Sequence, residues 1–438
     1  MTDQAPSQST RSRVLAWGLW DWGSSAYNAV ILTFVFSVYL TDGVGKGLPG
    51  PVDPGAWLGY AIGAAGLLIA LAAPVLGQRA DATGRRKRST GVWTALTVVT
   101  MAGLFAVRED YHWLWVGLVL LALGSIFFEL ASVSYNAMLV QVSTPSTIGR
   151  VSGFGWSMGY FGGIVQLLAV YVGLIAGDGG ALGVPTADGL NIRVVALVAA
   201  TWFAVFAVPL FVVVPELPPA DPGAVRLGVA GSYRKLVNDL RELHRVSPHT
   251  VYFLGASAIF RDGLAAVFTF GAVLAVTVYG IDKGDVLIFG VVANVVSAAG
   301  ALSGGALEDR IGPKTVIVIS LVGLLTAGVI LLFVSVPAMF WIFGLVLTLF
   351  VGPAQSSSRT FLARLAPPGT EGQLFGLYAT TGRAVSFLAP TLFGLAITVF
   401  GAPRAGIVGI LVVLAAGLLA LARVRAPRAV GNAKLATT

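Results

Sequence analysis

Twelve near-continuous apolar stretches, most of them about 20 residues or longer, divide this chain. A hydrocarbon layer about 30 Å thick takes about 20 helical residues to cross. Inside it each backbone N–H and C=O must be satisfied within the protein, which leaves helices or closed barrels. Barrel strands would be shorter and would alternate apolar with polar. The chain therefore reads as an all-α membrane protein of twelve transmembrane helices. Spans are predicted near 14–41, 56–77, 89–108, 113–138, 150–176, 193–214, 249–279, 285–306, 315–335, 338–364, 372–399 and 404–423. The charge content agrees: 11% of the 438 residues are charged, against roughly 25% in soluble domains. The stretch after Arg13 is too long for a cleaved signal peptide and is read as the first span.

The net charge of +8 marks topology, not nucleic-acid binding. With the N-terminus on the cytosolic side, twenty Lys and Arg residues fall on that side, from Arg11 and Arg13 through Arg226 to Arg428 and Lys434. Five (Lys46, Arg108, Arg193, Lys283, Arg404) fall on the other, and three lie inside spans. The bias predicts both termini in the cytosol, and the composition fits a bacterial inner membrane. No cysteine is present, so disulfides, thiolate chemistry and Cys-ligated metals are excluded. His112, His244 and His249 are scattered without metal spacing, so no metal or cofactor is expected.

One charged motif is written twice. Gly77, Asp81, Gly84 and the basic run from Arg85 follow one apolar stretch; Gly305, Asp309, Gly312 and Lys314 follow another. A second repeat lies nearby: Pro145, Gly149, Gly153 and Gly159 recur as Pro368, Gly372, Gly376 and Gly382, each 223 residues later. Such duplication belongs to transporters built from parallel repeats, and small residues let helices approach closely in lipid. The charged motif resembles the loop between spans 2 and 3, repeated between spans 8 and 9, of the major facilitator superfamily. That resemblance implies two six-helix bundles, 1–214 and 249–438, the second ending in a short cytosolic tail. A linker, 215–248, joins them. Within it Tyr233, Leu236, Leu240 and Leu243 recur at helical spacing over Ser232 to Val246, predicting an amphipathic helix on the inner leaflet.

Charge near the bilayer centre costs roughly 2.5–3.5 kcal/mol on insertion scales, so buried polar residues are functional candidates. Span 1 carries Trp17, Asp21, Ser24, Ser25 and Asn28 on one face. Span 4 carries Glu129, Ser132 and Asn136; span 7, Arg261 and Asp262; span 10, Gln355 and Arg359; span 11, Arg383. In facilitators spans 1, 4, 7 and 10 line the central cavity, so Asp21, Asn28, Glu129, Asn136, Asp262, Gln355, Arg359 and Arg383 are expected along the substrate and proton path. The bland alternative is structural ion pairing between the halves. Neighbours on a helix point about 100° apart, so a packing role is the stronger alternative for Arg261 and Asp262, one of which has room to face a different helix. Trp156 and Tyr160 on span 5 stand between substrate contact and ordinary packing. Gating is assigned to Gly77, Asp81, Gly84, Arg85, Gly305, Asp309, Gly312 and Arg150. Asp81 is expected at the start of span 11 near Gly372 and Gln373, and Asp309 at the start of span 5 near Gly149 and Arg150.

No phosphate-binding loop occurs, and Gly153 to Gly159 has the wrong spacing for a dinucleotide fingerprint. No enzymatic activity is expected, and a pump of this kind must draw on an ion gradient.

Within the superfamily the chain resembles the vacuole-effluxer family, typified by an amino-acid exporter of fungal vacuoles and including bacterial members. Trp20-Asp21-Trp22-Gly23-Ser24-Ser25-Ala26-Tyr27 is similar to the family's Tyr-Asp-Trp-Ala-Asn-Ser-Ala-Phe/Tyr. Tyr135 to Leu139, Gly149 to Gly153, Gly159 to Gly163, Gln355 to Arg359 and Phe375 to Tyr378 carry the rest. Arg261 stands where the family usually has Asn, and Ser24 replaces the Asn of the first signature. The resemblance implies a monomeric secondary transporter in lipid, with a small-molecule substrate. An amino acid or related zwitterion coupled to protons is the leading expectation, with sodium as the other coupling ion. Multidrug efflux, sodium-coupled sugar symport and a non-transporting sensor or scaffold are the alternatives.

Overall fold

The computed structural model describes residues 8–50, 54–216, 229–281 and 283–425. Arg226, Arg428, Lys434 and the tail beyond 425 lie outside them. The described chain is helical, with no strand. Twelve helices are long and apolar enough to cross a membrane. Spans 1 to 6 are Thr10–Val44, Pro54–Thr83, Arg86–Ala106, Tyr111–Ala137, Ile148–Gly179 and Ala187–Val213. Spans 7 to 12 are Pro248–Gly271, Ile288–Ile311, Pro313–Phe333, Pro337–Leu365, Glu371–Phe400 and Pro403–Ala422.

Span packing repeats at an interval of six. Span 1 packs on spans 5 and 6 as span 7 packs on 11 and 12, and span 4 on 2 and 3 as span 10 on 8 and 9. The two sets meet chiefly where span 2 packs on span 11 and span 5 on span 8, with smaller contacts of span 5 with span 10 and span 4 with span 11. Side chains such as Leu67, Val119, Val212, Val399 and Leu419 remain on the outer faces, where an apolar surface of this extent requires lipid.

The duplicated motif is not a free loop. Span 2 continues as helix through Asp81 to Thr83, and span 8 through Asp309 to Ile311. The first copy ends at Gly84, at φ +66°, where the Gly84 N–H bonds Asp81 O and the Arg85 N–H bonds Ala80 O. This two-bond termination needs the left-handed conformation that glycine adopts freely. At the second copy Gly312, at φ +86°, bonds only Glu308 O. The next residue, Pro313, has no N–H to supply the second bond. Both carboxylates therefore ride on rigid helix ends.

Span 11 is broken between Val385 and Leu388. Pro390 explains the break, because it cannot donate to the Ser386 carbonyl and disfavours helix just before it. The linker helix runs Val229–Val246. Its apolar face turns toward protein: Leu236 is buried, the Tyr233 hydroxyl donates to Leu71 O at 2.6 Å, and Asp239 accepts from Gln78 at 3.1 Å. The helix packs against spans 2 and 7.

Candidate functional site: a cavity between the two sets of spans

A cavity of about 400 Å³ lies between the two sets of spans. Its wall includes Asp21, Asn28, Glu129, Asn136, Gln355 and Arg359, six of the eight residues singled out from sequence, together with Trp156, Tyr160 and Arg261. It reaches away from the charged-motif end past Asn28, Thr33 and Phe34, all exposed.

Asp21 is fixed by an aromatic stack. Tyr135 lies between Trp17, at 4.6 Å, and Trp20, at 4.1 Å between ring centroids. The Trp20 indole donates to Thr94 Oγ1 at 3.0 Å. The Tyr135 hydroxyl donates to Asp21 Oδ2 at 2.8 Å. Three buried rings thus leave the carboxylate one orientation, toward span 10.

From span 10, Arg359 answers it. Its Nη1 lies 3.5 Å from Asp21 Oδ2 and donates to Asn136 Oδ1 at 3.1 Å. Nε donates to Ser152 Oγ at 3.1 Å and Nη2 to Ser152 O at 2.7 Å. The guanidinium also lies over the rings of Trp17 and Trp156, at 4.8 and 5.7 Å. Only an Arg offers this planar fork of donors, and one side chain ties span 10 to spans 1, 4 and 5.

A second ion pair crosses the same divide. Arg383 Nη2 of span 11 donates to Glu129 Oε2 of span 4 at 3.1 Å. Both members stay partly exposed, at 34% and 23% of their side chains, whereas Arg359 is at 6% and Asp21 at 17%. The Glu129–Arg383 pair is the more exposed of the two and the Asp21–Arg359 pair the more buried; Arg383 itself lies outside the cavity wall. Trp156 Nε1 and Tyr160 Oη, both shielded from solvent in this form, lack hydrogen-bond partners.

Arg261 and Asp262 part as their helical spacing requires. Arg261 stacks 3.7 Å over the Tyr378 ring and donates to Tyr378 O at 3.1 Å. Asp262 lies outside the cavity wall, where its Oδ2 accepts from the Ala389 N–H at 2.6 Å. It supports the start of the helix that follows the span 11 break.

The charged-motif end is closed by two equivalent contacts. Asp81 Oδ2 accepts from the Gln373 N–H at 2.8 Å. Asp309 accepts from the Gly149 N–H at 2.9 Å and the Arg150 N–H at 3.1 Å, and Arg150 Nε adds a third bond at 3.0 Å. A Cβ on Gly372 would stand 2.8 Å from Asp81 Oδ1, and one on Gly149 2.7 Å from Asp309 Oδ1. The repeated glycines are what let each carboxylate reach a helix start. Gly77 and Gly305 belong to the same close crossings, their hypothetical Cβ atoms meeting the backbones of Gly372 and Gly149.

Sequence reasoning placed Arg85 here, but Arg85 is exposed and the buried member is Arg86. Arg86 donates to Asp81 Oδ1 at 2.8 Å, to Ala137 O at 3.2 Å and to Glu371 Oε2. Nothing in the run Arg85-Arg86-Lys87-Arg88 distinguishes the inward member, because no spacing rule ranks four adjacent bases at a helix start. Glu371 was missed for another reason: the internal repeat places Ile148 at the equivalent position.

The family model described as "Vacuole effluxer Atg22 like" matches residues 42–434. The chain belongs to that family. The uncharacterized MFS-type transporter YxiO of Bacillus subtilis is 26% identical over 414 residues, 93% of either chain. Autophagy-related protein 22 of Cryptococcus neoformans is 25% identical over 305 residues, 64% of this chain and 54% of the fungal one. The chain thus aligns with about half the length of that fungal relative. Among solved structures the proton:xylose symporter XylE superposes with a TM-score of 0.71 over 94% of both chains, at 14% identity. That likeness shows the fold alone, the major facilitator fold. This Atg22-like protein is accordingly an integral membrane transporter of the major facilitator superfamily and not an enzyme.

Proposed function

We propose that this Atg22-like transporter carries a small zwitterion, an amino acid or close relative, by alternating access coupled to protons. The observation that carries the reading is the pair of ion pairs, Glu129–Arg383 and Asp21–Arg359, each joining one set of spans to the other across a small cavity. An amino acid brings both charges with it. Its ammonium can replace Arg383 at Glu129, and its carboxylate can take the free N–H of Trp156 and O–H of Tyr160. Exchange of an internal pair for substrate charges loosens the tie between the halves, which is what a transport step requires. Asp21, held by Arg359 and a tyrosine hydroxyl, is the proton carrier in this reading.

Residues 1–214 and 249–438 act as the two moving bundles, joined by the 215–248 linker. Asp81 and Asp309 act as latches between them, with Gly77, Gly84, Gly305, Gly312 and Arg150 shaping the contacts. The charged-motif end faces the cytosol of a bacterial inner membrane, with both termini there. In this reading the closed contacts are the cytosolic gate of an outward-open form. A monomer suffices, because the cavity is built within one chain.

The test is uptake by purified protein in proteoliposomes, with a labelled amino-acid panel and sugar controls under an imposed pH gradient. Accumulation of one or a few amino acids that collapses with an uncoupler supports the reading. Sugar uptake without amino-acid uptake overturns the substrate class, and uptake indifferent to the gradient overturns the coupling.

A further inference from the structure

The two latches differ in one respect. At the first, the additional acid, Glu371, is satisfied by Arg86 and by the Gly369 N–H at 2.9 Å. At the second, the additional acid is Glu308, beside Asp309 on span 8. It is 0% exposed, and neither carboxyl oxygen has a hydrogen-bond partner. The nearest cation is Arg364 of span 10, whose Nη2 lies 3.7 Å from Glu308 Oε1 and the same distance from Asp309 Oδ1. Arg364 Nε and Nη2 are likewise without hydrogen bonds.

The surroundings can be named from each packed element. Span 10 also presents the hydroxyls of Ser357 and Thr360. Ser357 Oγ is buried and unpartnered, and the Thr360 hydroxyl donates to Ser356 O at 3.2 Å. Span 5 presents its glycine start, where a Cβ on Gly149 would be 3.0 Å from Glu308 Cβ. Arg150, the charged group of that segment, is committed to Asp309. Asp309 has three donors and is well placed to hold a negative charge. Glu308 has only the loosely placed hydroxyls of Ser357 and Thr360 and Arg364 at 3.7 Å. An ionised carboxylate sealed from water without a well-formed hydrogen bond is strongly disfavoured, and a neutral carboxyl removes most of that cost.

We propose that Glu308 is a proton-binding latch: it carries a proton while spans 5 and 8 touch, and releases it to water at the charged-motif face when they part. The ionised carboxylate then closes onto Arg364, and the contact re-forms only after Glu308 takes a proton back. Low pH on that face therefore favours the closed latch and high pH the open one. This rests on the alternating-access part of the proposed function and not on the identity of the substrate.

The absence of native cysteine makes the test direct. Spin labels go on Ser146→Cys and Ile311→Cys, both exposed and on opposite sides of the contact. Their separation is measured by pulsed electron resonance in nanodiscs across a pH series. In the wild-type background the ratio of separated to close populations should rise about tenfold per pH unit around the midpoint, the slope for one linked proton. Glu308→Gln, which mimics the protonated form, should stay close at every pH. Glu308→Asp should keep the slope with a moved midpoint, which guards against a merely misfolded Gln variant. Asp309→Asn should also keep a slope. A Glu308→Gln protein that titrates like the wild type overturns the latch, as does a wild type flat with pH while uptake in proteoliposomes is intact. Failure of every amino acid in the uptake panel would overturn the substrate reading and leave the slope where it was.

Discussion

Arg359 donates from Nη1 to Oδ1 of Asn136 at 3.1 Å, and the two residues are 223 positions apart. That is the offset at which Pro145, Gly149, Gly153 and Gly159 recur. Residues at equivalent places in two repeats can meet only near the axis that relates them. Arg359 thus marks the axis, which is where transporters built from repeats place their solute site. At that point the duplicated position has diverged into a guanidinium and an amide, a donor opposite an acceptor.

Arg359→Lys should be nearly as damaging as Arg359→Ala. Arg359 serves four acceptors on three other spans, which a single ammonium cannot reach. Removing one partner of a buried charge pair typically costs about 3–5 kcal/mol. Initial uptake rates in proteoliposomes should fall at least about tenfold for both variants. A Lys variant with wild-type rates removes the case for the planar fork.

Asp21→Asn should abolish accumulation driven by a pH gradient while substrate exchange across the membrane partly survives. The variant keeps an acceptor for the Tyr135 hydroxyl, and Arg359 keeps its bonds to Asn136 and Ser152 while losing its ionic partner. Counterflow and gradient-driven uptake, measured on the same vesicles, separate the two. Full accumulation by the Asn variant would show that the proton is carried elsewhere.

The fold was legible because lipid imposes a simple rule: long apolar runs must be helices. The cavity was legible because charge is rare in spans, so Asp21, Glu129 and Arg359 stood out against an apolar background. Pairing was less legible. Asp21 and Arg359 are 338 residues apart, and no local pattern says that Arg359 takes Asp21 while Arg383 takes Glu129. Asp262 stood out for the same reason as Asp21, yet its carboxylate serves a helix start created by Pro390. A buried charge in a span advertises a partner without saying whether that partner is backbone, another side chain or a ligand. Arg86 and Glu371 were hidden differently, one in a run of equivalent bases and the other at a position whose repeat counterpart, Ile148, carries no charge.

Gly372→Ala should act as a latch mutation although it removes no charge. Its methyl would crowd Asp81 Oδ1, and the carboxylate must leave the start of span 11 to make room. Gly149→Ala should do the same to Asp309. In both, cysteines placed in the cavity should become more reactive from the charged-motif side. Unchanged reactivity in both would mean that the helix ends yield without cost and that the repeated glycines are incidental.

Asp81→Asn should open the cavity toward the charged-motif face. The carboxylate receives the Gln373 N–H, one of the unpaired donors at the start of span 11, and Arg86 from span 3. A carboxylate at a helix start gains roughly 0.3–1 kcal/mol from the positive end of the helix, and up to about 2 when partly buried. A hydrogen bond to a charged group adds about 1.5–3 kcal/mol. Losing part of that sum shifts a two-state equilibrium about tenfold or more. Asn keeps an acceptor, so Gln373 is not stranded, and Arg86 keeps Glu371. The part of the loss that lies in the Gln373 contact falls on the closed form, because that bond exists only while spans 2 and 11 touch, whereas the Asp81–Arg86 pair lies within one set of spans and is weakened in both forms. The readout is a single cysteine at Ala379, on the cavity wall, probed with impermeant reagents from each face in turn. Labelling should rise severalfold from the charged-motif face and fall from the other. Asp309→Asn should match it at the span 5 and span 8 contact, and the double variant should exceed either, since the two latches hold separate helix pairs against one motion. Equal labelling from both faces in all three variants would reduce the repeated motif to a topology signal.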